Sequence, residues 1–263
     1  MKIALSLLSV FGFTLCPYFV CDGSIVESQL APYESFLKNG TYAGYDFSRV
    51  LKIPKSRYDT FKTAFEFLES MNNPVVVELG TARSFTHGGL PGCNSNDVSY
   101  WKFENPEGWD WGAGFFTRMA PIALRHTNIN MHTVDLCSDH IKRCQVMTSD
   151  FADIIQYHIS DSVAFLRNCN FPEGIHLLYL DTGDMIPDTQ LLQLEEAKVV
   201  VERNLIADGG LILLDDVRNQ MLQDYHGDTS GLGKSKYALP FLLDNGFDLI
   251  MDEYQVLLQK RGK

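Results

Sequence analysis

From Pro74 onward the chain alternates short apolar runs with longer segments whose apolar residues recur at helical spacing. The runs are VVVEL (75–79), MHTVDL (131–136), IIQYHI (154–159), IHLLYLD (175–181), GLILLDD (210–216), FDLIM (247–251) and YQVLLQ (254–259). Most are continuously apolar rather than alternating, as expected of strands buried on both faces. The helical patterns between them cover 115–126, 138–148, 160–168, 188–206 and 234–245. Strand–helix alternation predicts a parallel sheet with helices on both faces. Only Asp252 and Glu253 separate the last two runs. A connection that short cannot make a parallel crossover, so these runs should pair antiparallel. The expected fold is α/β: a doubly wound, seven-stranded, mostly parallel sheet with an antiparallel C-terminal hairpin.

Ahead of the sheet, residues 24–73 read as a short helical cap. ESQLAPYESFLKNG ends on a turn signal, and PKSRYDTFKTAFEFLESMNN carries Tyr58, Phe61, Ala64, Phe65 and Leu68 on one helical face before Asn72-Asn73-Pro74 breaks it. Residues 1–23 hold one early cation, Lys2, then a long apolar run, then small and polar residues, the layout of a secretory signal peptide or a single anchor. An apolar N-terminal helix is the plainer alternative. Residues 85–114, rich in Gly, Asn, Pro and Trp, interrupt the strand–helix rhythm. Long loops inside a compact domain are usually functional or disordered. The three tryptophans Trp101, Trp109 and Trp111 argue for order, hence either a lid over a ligand or a packed surface loop.

Composition changes this picture little. The chain has 263 residues, 45% of them hydrophobic and 21% charged, with a net charge of −11. Phosphate recognition depends on clustered Lys and Arg, so the charge argues against a nucleic-acid partner. A membrane would be met only through the N-terminal segment, if it is retained. The six cysteines include no CxxC pair and no zinc spacing, and read as buried or idle thiols. Were the chain exported, Cys93 with Cys169 or Cys137 with Cys144 are the pairs open to bridging.

In an open α/β sheet, ligands bind at the carboxyl ends of the strands. Those ends carry Glu78-Leu79-Gly80-Thr81, Asp135, Ser160-Asp161-Ser162, Asp181 and Asp215-Asp216. Acids are costly mid-sheet, so one shared rim is their consistent location. VVVELGTARS, MHTVDL, HISDSVAFL, LLYLDTGD and LIADGGLILLDDV occur in this order, and over 74–263 the chain resembles the class I S-adenosylmethionine-dependent methyltransferases, whose fold is Rossmann-like.

The resemblance implies S-adenosylmethionine as cofactor, its methionine half beside Gly80 and Thr81. Glu78 would hold the loop or meet the cofactor's amino group. Arg83 and Ser84 would help bind its carboxylate, with a plain surface charge as the alternative for Arg83. Asp135 would accept hydrogen bonds from the ribose hydroxyls, although it lies far beyond the usual distance from the glycine because of the insertion. Asp161 and Ser162 would meet the adenine edge, where Ser160 or Asp161 also suits a helix N-cap. Asp181, Asp215 and Asp216 are similar to the magnesium site of catechol-type O-methyltransferases, with Asp216 where that family has an amide. The plainer alternative is that Asp215 or Asp216 caps the next segment or faces solvent, and Asp184 is a nearby substitute for Asp181.

The expected function is therefore methyl transfer to a small-molecule acceptor, at oxygen. Asp181, His87 and His226 are the candidate catalytic groups; a loop histidine is more often surface than base. His132, His158 and His176 lie within strands and read as structural. Two other classes stay open: an exported binding protein that keeps the fold without catalysis, and a metal-dependent hydrolase built on the aspartate cluster. The signal-like start and the cytosolic origin of the cofactor point to different compartments.

Overall fold

Val75–Leu79 (β1) is buried at every position and hydrogen-bonded on both sides, to Asn130–Asp135 (β2) and Ile175–Leu180 (β4), both parallel to it. This double coverage is why three consecutive valines suit the strand: branched side chains pack on both faces and no position needs to be polar. The computed structural model describes residues 24–39, 41–42, 45–46, 56–82, 115–219 and 221–262. The proposed segment 1–23, the insertion 85–114, and Arg83, Ser84 and His87 lie outside the described residues.

The remaining strands are Ile155–Ile159 (β3), Ile206–Leu214 (β5), Phe247–Asp252 (β6) and Val256–Lys260 (β7). Their spatial order is β3-β2-β1-β4-β5-β7-β6. Pairing is parallel from β3 through β5, and β7 is antiparallel to both β5 and β6. Glu253 N–H donates to the Gln255 carbonyl (3.0 Å) and closes the β6–β7 turn. The sheet is thus the one expected from the apolar runs, with one extension. β5 starts at Ile206, pairs Ile206 with Ile175, and resumes at Leu177–Leu211 across an irregularity. The strand therefore begins four residues ahead of the run read from 210, and the helix expected to reach 206 ends at Glu202; Gly209, at φ +74°, lies within β5.

Nine α-helices are described: Ile25–Leu30 (α1), Glu34–Asn39 (α2), Tyr58–Glu69 (α3), Phe116–Leu124 (α4), Ser138–Met147 (α5), Ser162–Asn168 (α6), Pro187–Glu202 (α7), Met221–His226 (α8) and Ala238–Asp244 (α9). α3 buries Phe61, Ala64, Phe65 and Leu68 completely. These join Val26, Leu30, Phe116 and Tyr179 in the core on one face of the sheet, where the Phe116 and Tyr179 rings stack 4.3 Å apart. α6, α7 and α9 contribute Leu166, Ala197, Val200, Leu239 and Leu242 to the core on the other face. Each fully buried Leu or Phe contributes about 1.5–3 kcal/mol of apolar transfer. α3 ends before Asn73, which takes a left-handed φ of +55° ahead of Pro74. His132 and His158 stack at 5.2 Å with Nδ1 and Nε2 3.0 Å apart. Cys137, Cys144 and Cys169 are free thiols, so the 137–144 bridge is absent. Among the described residues, no helix is long and apolar enough to cross a membrane.

Candidate functional site

β1 is the strand from which the chain first moves outward through β2 to β3 and then returns to β4 on the opposite side. Loops leaving the carboxyl ends of β1 and β4 diverge at such a reversal and open a crevice. Gly80, immediately after β1, has φ +90°. A Cβ there would stand 2.5 Å from the Asp181 carbonyl oxygen and 2.8 Å from its carbon. Glycine is therefore required by the close approach of two main chains, a stronger reason than the ligand proximity expected from the sequence.

Glu78 is fully buried. Thr117 Oγ1 donates to its Oε2 (2.6 Å), and Ala82 N–H donates to Thr117 Oγ1 (3.1 Å). Thr133 Oγ1 lies 2.7 Å from both Glu78 Oε2 and Thr81 Oγ1. Glu78 thus holds the Gly80–Ala82 turn through two threonines. Its other oxygen, Oε1, is buried without a hydrogen-bond partner among the described residues. Burial, opposed by the Thr117 and Thr133 hydroxyls, pushes the Glu78 carboxyl up to about 8.

Asp135 ends β2. The β1–β2 register, Leu79 opposite Val134, brings it beside Thr81 despite the long intervening sequence. Thr81 N–H reaches Asp135 Oδ2 at 3.4 Å, Cys137 N–H donates to Oδ1 (2.7 Å), and His140 Nδ1 lies 3.2 Å from each oxygen. Burial works against ionisation of Asp135, but the His140 ring and the Cys137 and Thr81 amides more than offset it and hold the carboxyl below its ordinary range. Asp161 caps α6, its Oδ1 accepting from Ala164 N–H (2.8 Å). Ser162 Oγ donates to Glu196 Oε1 (2.5 Å), and Thr182 Oγ1 donates to the same oxygen (2.8 Å). Burial, opposed by those two hydroxyls, raises Glu196 to about 7.

Asp181, Asp215 and Asp216 do converge, with one carboxylate oxygen from each within 4.8 Å of the others. Asp184 is exposed and does not join them. Asp216 has a left-handed φ of +56°, an uncommon conformation for a non-glycine residue that recurs at functional turns. Two cations meet the three acids. Arg57, just before α3, makes a two-point contact with Asp215: Nη2–Oδ2 2.7 Å and Nε–Oδ1 3.2 Å. Lys234 Nζ lies 2.6 Å from Asp181 Oδ1 and 3.0 Å from Asp216 Oδ2, and the residue is 1% exposed. Tyr254 OH donates to Asp216 Oδ1, as does Asn219 Nδ2 (3.1 Å), and Gln255 Nε2 donates to Asp215 Oδ1 (3.0 Å). Burial disfavours the Lys234 ammonium, but Asp181, Asp216 and Asp215 together hold its pKa well above the ordinary value. Burial likewise raises Asp181, against the pull of Lys234 and with the push of Asp215 and Asp216.

A divalent cation does not fit this arrangement. The carboxylates are a suitable oxygen donor set, yet an ammonium already stands against two of them. The magnesium expected from the resemblance is set aside on that ground, and the hydrolase reading loses its metal centre. His226 ends α8 and is exposed, and its side chain makes no hydrogen bond or ion pair with the described residues. Arg57 and Lys234 escaped the sequence reading because neither lies in a motif. The only available signal was charge balance, since three converging acids at a buried rim require cations.

No family model matches the chain, and no curated protein matches it by sequence. Solved structures do. The S-adenosylhomocysteine-bound methyltransferase PaMTH1 of Podospora anserina superposes with TM-score 0.52 at 12% identity, covering 98% of this chain and 100% of that one. The chain has the α/β fold of the class I methyltransferases. The N-methyltransferase NodS of Bradyrhizobium japonicum in complex with S-adenosyl-L-homocysteine (TM-score 0.47, 11% identity, 90% of this chain, 98% of that) also matches. So does a methyltransferase of Geobacter sulfurreducens (TM-score 0.45, 11% identity, 91% and 88%).

Proposed function

We propose that the protein is an S-adenosylmethionine-dependent methyltransferase that methylates a small-molecule acceptor at oxygen. The observation that carries this reading is the unpartnered Oε1 of buried Glu78 beneath the Gly80 turn. A buried carboxyl oxygen without a partner is costly; the free chain meets part of that cost by keeping Glu78 protonated, and the ammonium of an amino-acid ligand would satisfy Oε1 and draw the group to its ionised form. Asp135, at the neighbouring strand end and ionised at neutral pH, supplies acceptors for a vicinal diol. Gly80 and Thr81 line the turn between them, and Asp161 stands at the next strand end along. Arg83 and Ser84 follow in sequence and are assigned to the ligand's carboxylate; Ser162 supports that end of the site through Glu196.

The bound cofactor supplies an electrophilic methyl group on a sulfonium. The protein's contribution is alignment of the acceptor oxygen and exclusion of water, because in-line displacement needs no covalent enzyme intermediate. Asp181, on the rim between β1 and β5, and the loop histidines His87 and His226 are the groups assigned to acceptor positioning and proton removal. Residues 85–114 are assigned as the lid.

A thermal-shift titration tests the proposal. S-adenosylhomocysteine at 100 times its dissociation constant should stabilise the chain by about 2.7 kcal/mol, and magnesium should add nothing. No shift with a well-folded sample overturns it.

A further inference from the structure

Lys234 is not a surface lysine that happens to meet an acid. It sits in a 3-10 turn, Gly233–Ser235, pressed between the end of β5 and α7. Gly233 has φ +50°, and a Cβ on it would stand 2.0 Å from the Asp216 carbonyl oxygen and 2.9 Å from that of Val217. Gln190 Nε2 of α7 donates to the Gly233 carbonyl (2.8 Å), and Ser235 Oγ donates to Gln193 Oε1 (2.8 Å). The turn is therefore fixed on both sides, and it delivers the ammonium to one place. There the three Nζ protons face Asp181 Oδ1 at 2.6 Å, Asp216 Oδ2 at 3.0 Å and the Gly183 carbonyl at 3.5 Å. Three oxygens from the β4 and β5 ends surround one positive centre, the environment a hard cation would seek.

We propose that Lys234 is a tethered substitute for a divalent cation: its ammonium takes the metal's place among Asp181, Asp215 and Asp216 and closes the cluster to metals. With Arg57, the count is three carboxylates against two fixed cations. One excess negative charge is left, too little to retain a doubly charged ion while the ammonium stays. If the chain transfers methyl groups as proposed, it does so without Lewis-acid activation, and an acceptor that must chelate a metal finds no open position at this rim. The cation substitution itself does not depend on that reading.

The experiment uses the full chain and manganese as probe, read by electron paramagnetic resonance and calorimetry. Wild type should show no saturable site. Lys234→Gln, which keeps the side chain's approximate length and removes its charge, should bind one Mn2+ per chain at least about tenfold more tightly. Asp216→Asn in the Lys234→Gln background should abolish the gain. Because removing the ammonium exposes three acids to one another, the melting transition of each variant is followed as well. Mn2+ should raise that of Lys234→Gln and leave wild type unmoved. Stoichiometric binding by wild type, or a folded Lys234→Gln that neither binds nor is stabilised by Mn2+, overturns the proposal. A variant that melts low and is not rescued by Mn2+ also overturns it. S-adenosylhomocysteine is titrated into the same wild-type sample, so a failed cofactor reading shows itself separately from a failed cation substitution.

Discussion

Arg57 and Asp215 stand 158 positions apart in sequence and make a two-point ion pair at 2.7 and 3.2 Å, with side chains 7% and 1% exposed. The contact ties the segment before α3 to the end of β5, so the N-terminal helices take part in building the rim as well as covering a core. Breaking one side of such a pair leaves a charge buried without its partner, whereas removing both sides is far cheaper. Arg57→Met should therefore destabilise the chain by about 3–5 kcal/mol. The double variant Arg57→Met/Asp215→Leu should lose clearly less than the sum of the single losses. Chemical denaturation of the four proteins in the cycle measures this; additive losses would contradict it.

Gly80→Ala combines a positive φ of +90° with a Cβ placed 2.5 Å from the Asp181 carbonyl oxygen. The main chain has to move at the junction of β1 and β4, where the cofactor site is proposed. The expected stability loss is about 1–3 kcal/mol, and S-adenosylhomocysteine affinity should fall by at least about tenfold, or 1.4 kcal/mol. Calorimetry on the folded variant decides; unchanged affinity would separate the turn from the site.

Glu78 makes stability depend on pH in a definite direction. Its carboxyl releases its proton at about 8 in the folded chain, against an ordinary value of 4.5. Between those values the folded state holds a proton that the unfolded state has lost, so stability falls as pH rises, by up to about 1.4 kcal/mol per unit, and levels off above 8. Glu196, raised to about 7, and Asp181, also raised by burial, act in the same sense at lower pH, while His132, lowered to about 4, acts in the opposite sense below 6.5. The window from pH 7 to 8 therefore belongs mainly to Glu78. Wild type should lose stability across it relative to Glu78→Gln, read from urea midpoints at constant slope. Parallel profiles for the two proteins would rule out a buried, protonated Glu78.

The centre of the sheet was legible because its strands are buried on both faces and punctuated by acids at their ends. Val75 to Leu79 and Ile175 to Leu180 fall where their apolar runs lie, and the two-residue gap before Tyr254 identifies the antiparallel pair. The start of β5, residues 206–209, was hidden because Ile206 continues the apolar pattern of the preceding helix and Asp208-Gly209 is poor strand sequence; an irregular pairing with β4 absorbs it. α8 was missed because six residues with Leu222 alone buried carry no periodicity. At the rim, the acids could be read one strand end at a time. Their partners could not. Arg57 and Lys234 reach Asp215 and Asp181 through tertiary contacts that no local spacing encodes, and Ser162 turns to Glu196 on a helix that begins 25 residues later. Gly80 was singled out for its place beside the expected ligand, whereas the constraint that demands a glycine there, the Asp181 main chain, became visible only in three dimensions.

The central claim is that the Glu78–Gly80–Asp135 rim binds S-adenosylmethionine. Isothermal titration of S-adenosylhomocysteine into wild type and Asp135→Ala tests it most directly, with circular dichroism confirming that both are folded. The account predicts one site per wild-type chain with micromolar affinity, roughly 8 kcal/mol, and no measurable binding by Asp135→Ala. A folded wild-type chain that gives no heat of binding, or an Asp135→Ala variant that binds as tightly as wild type, would contradict it.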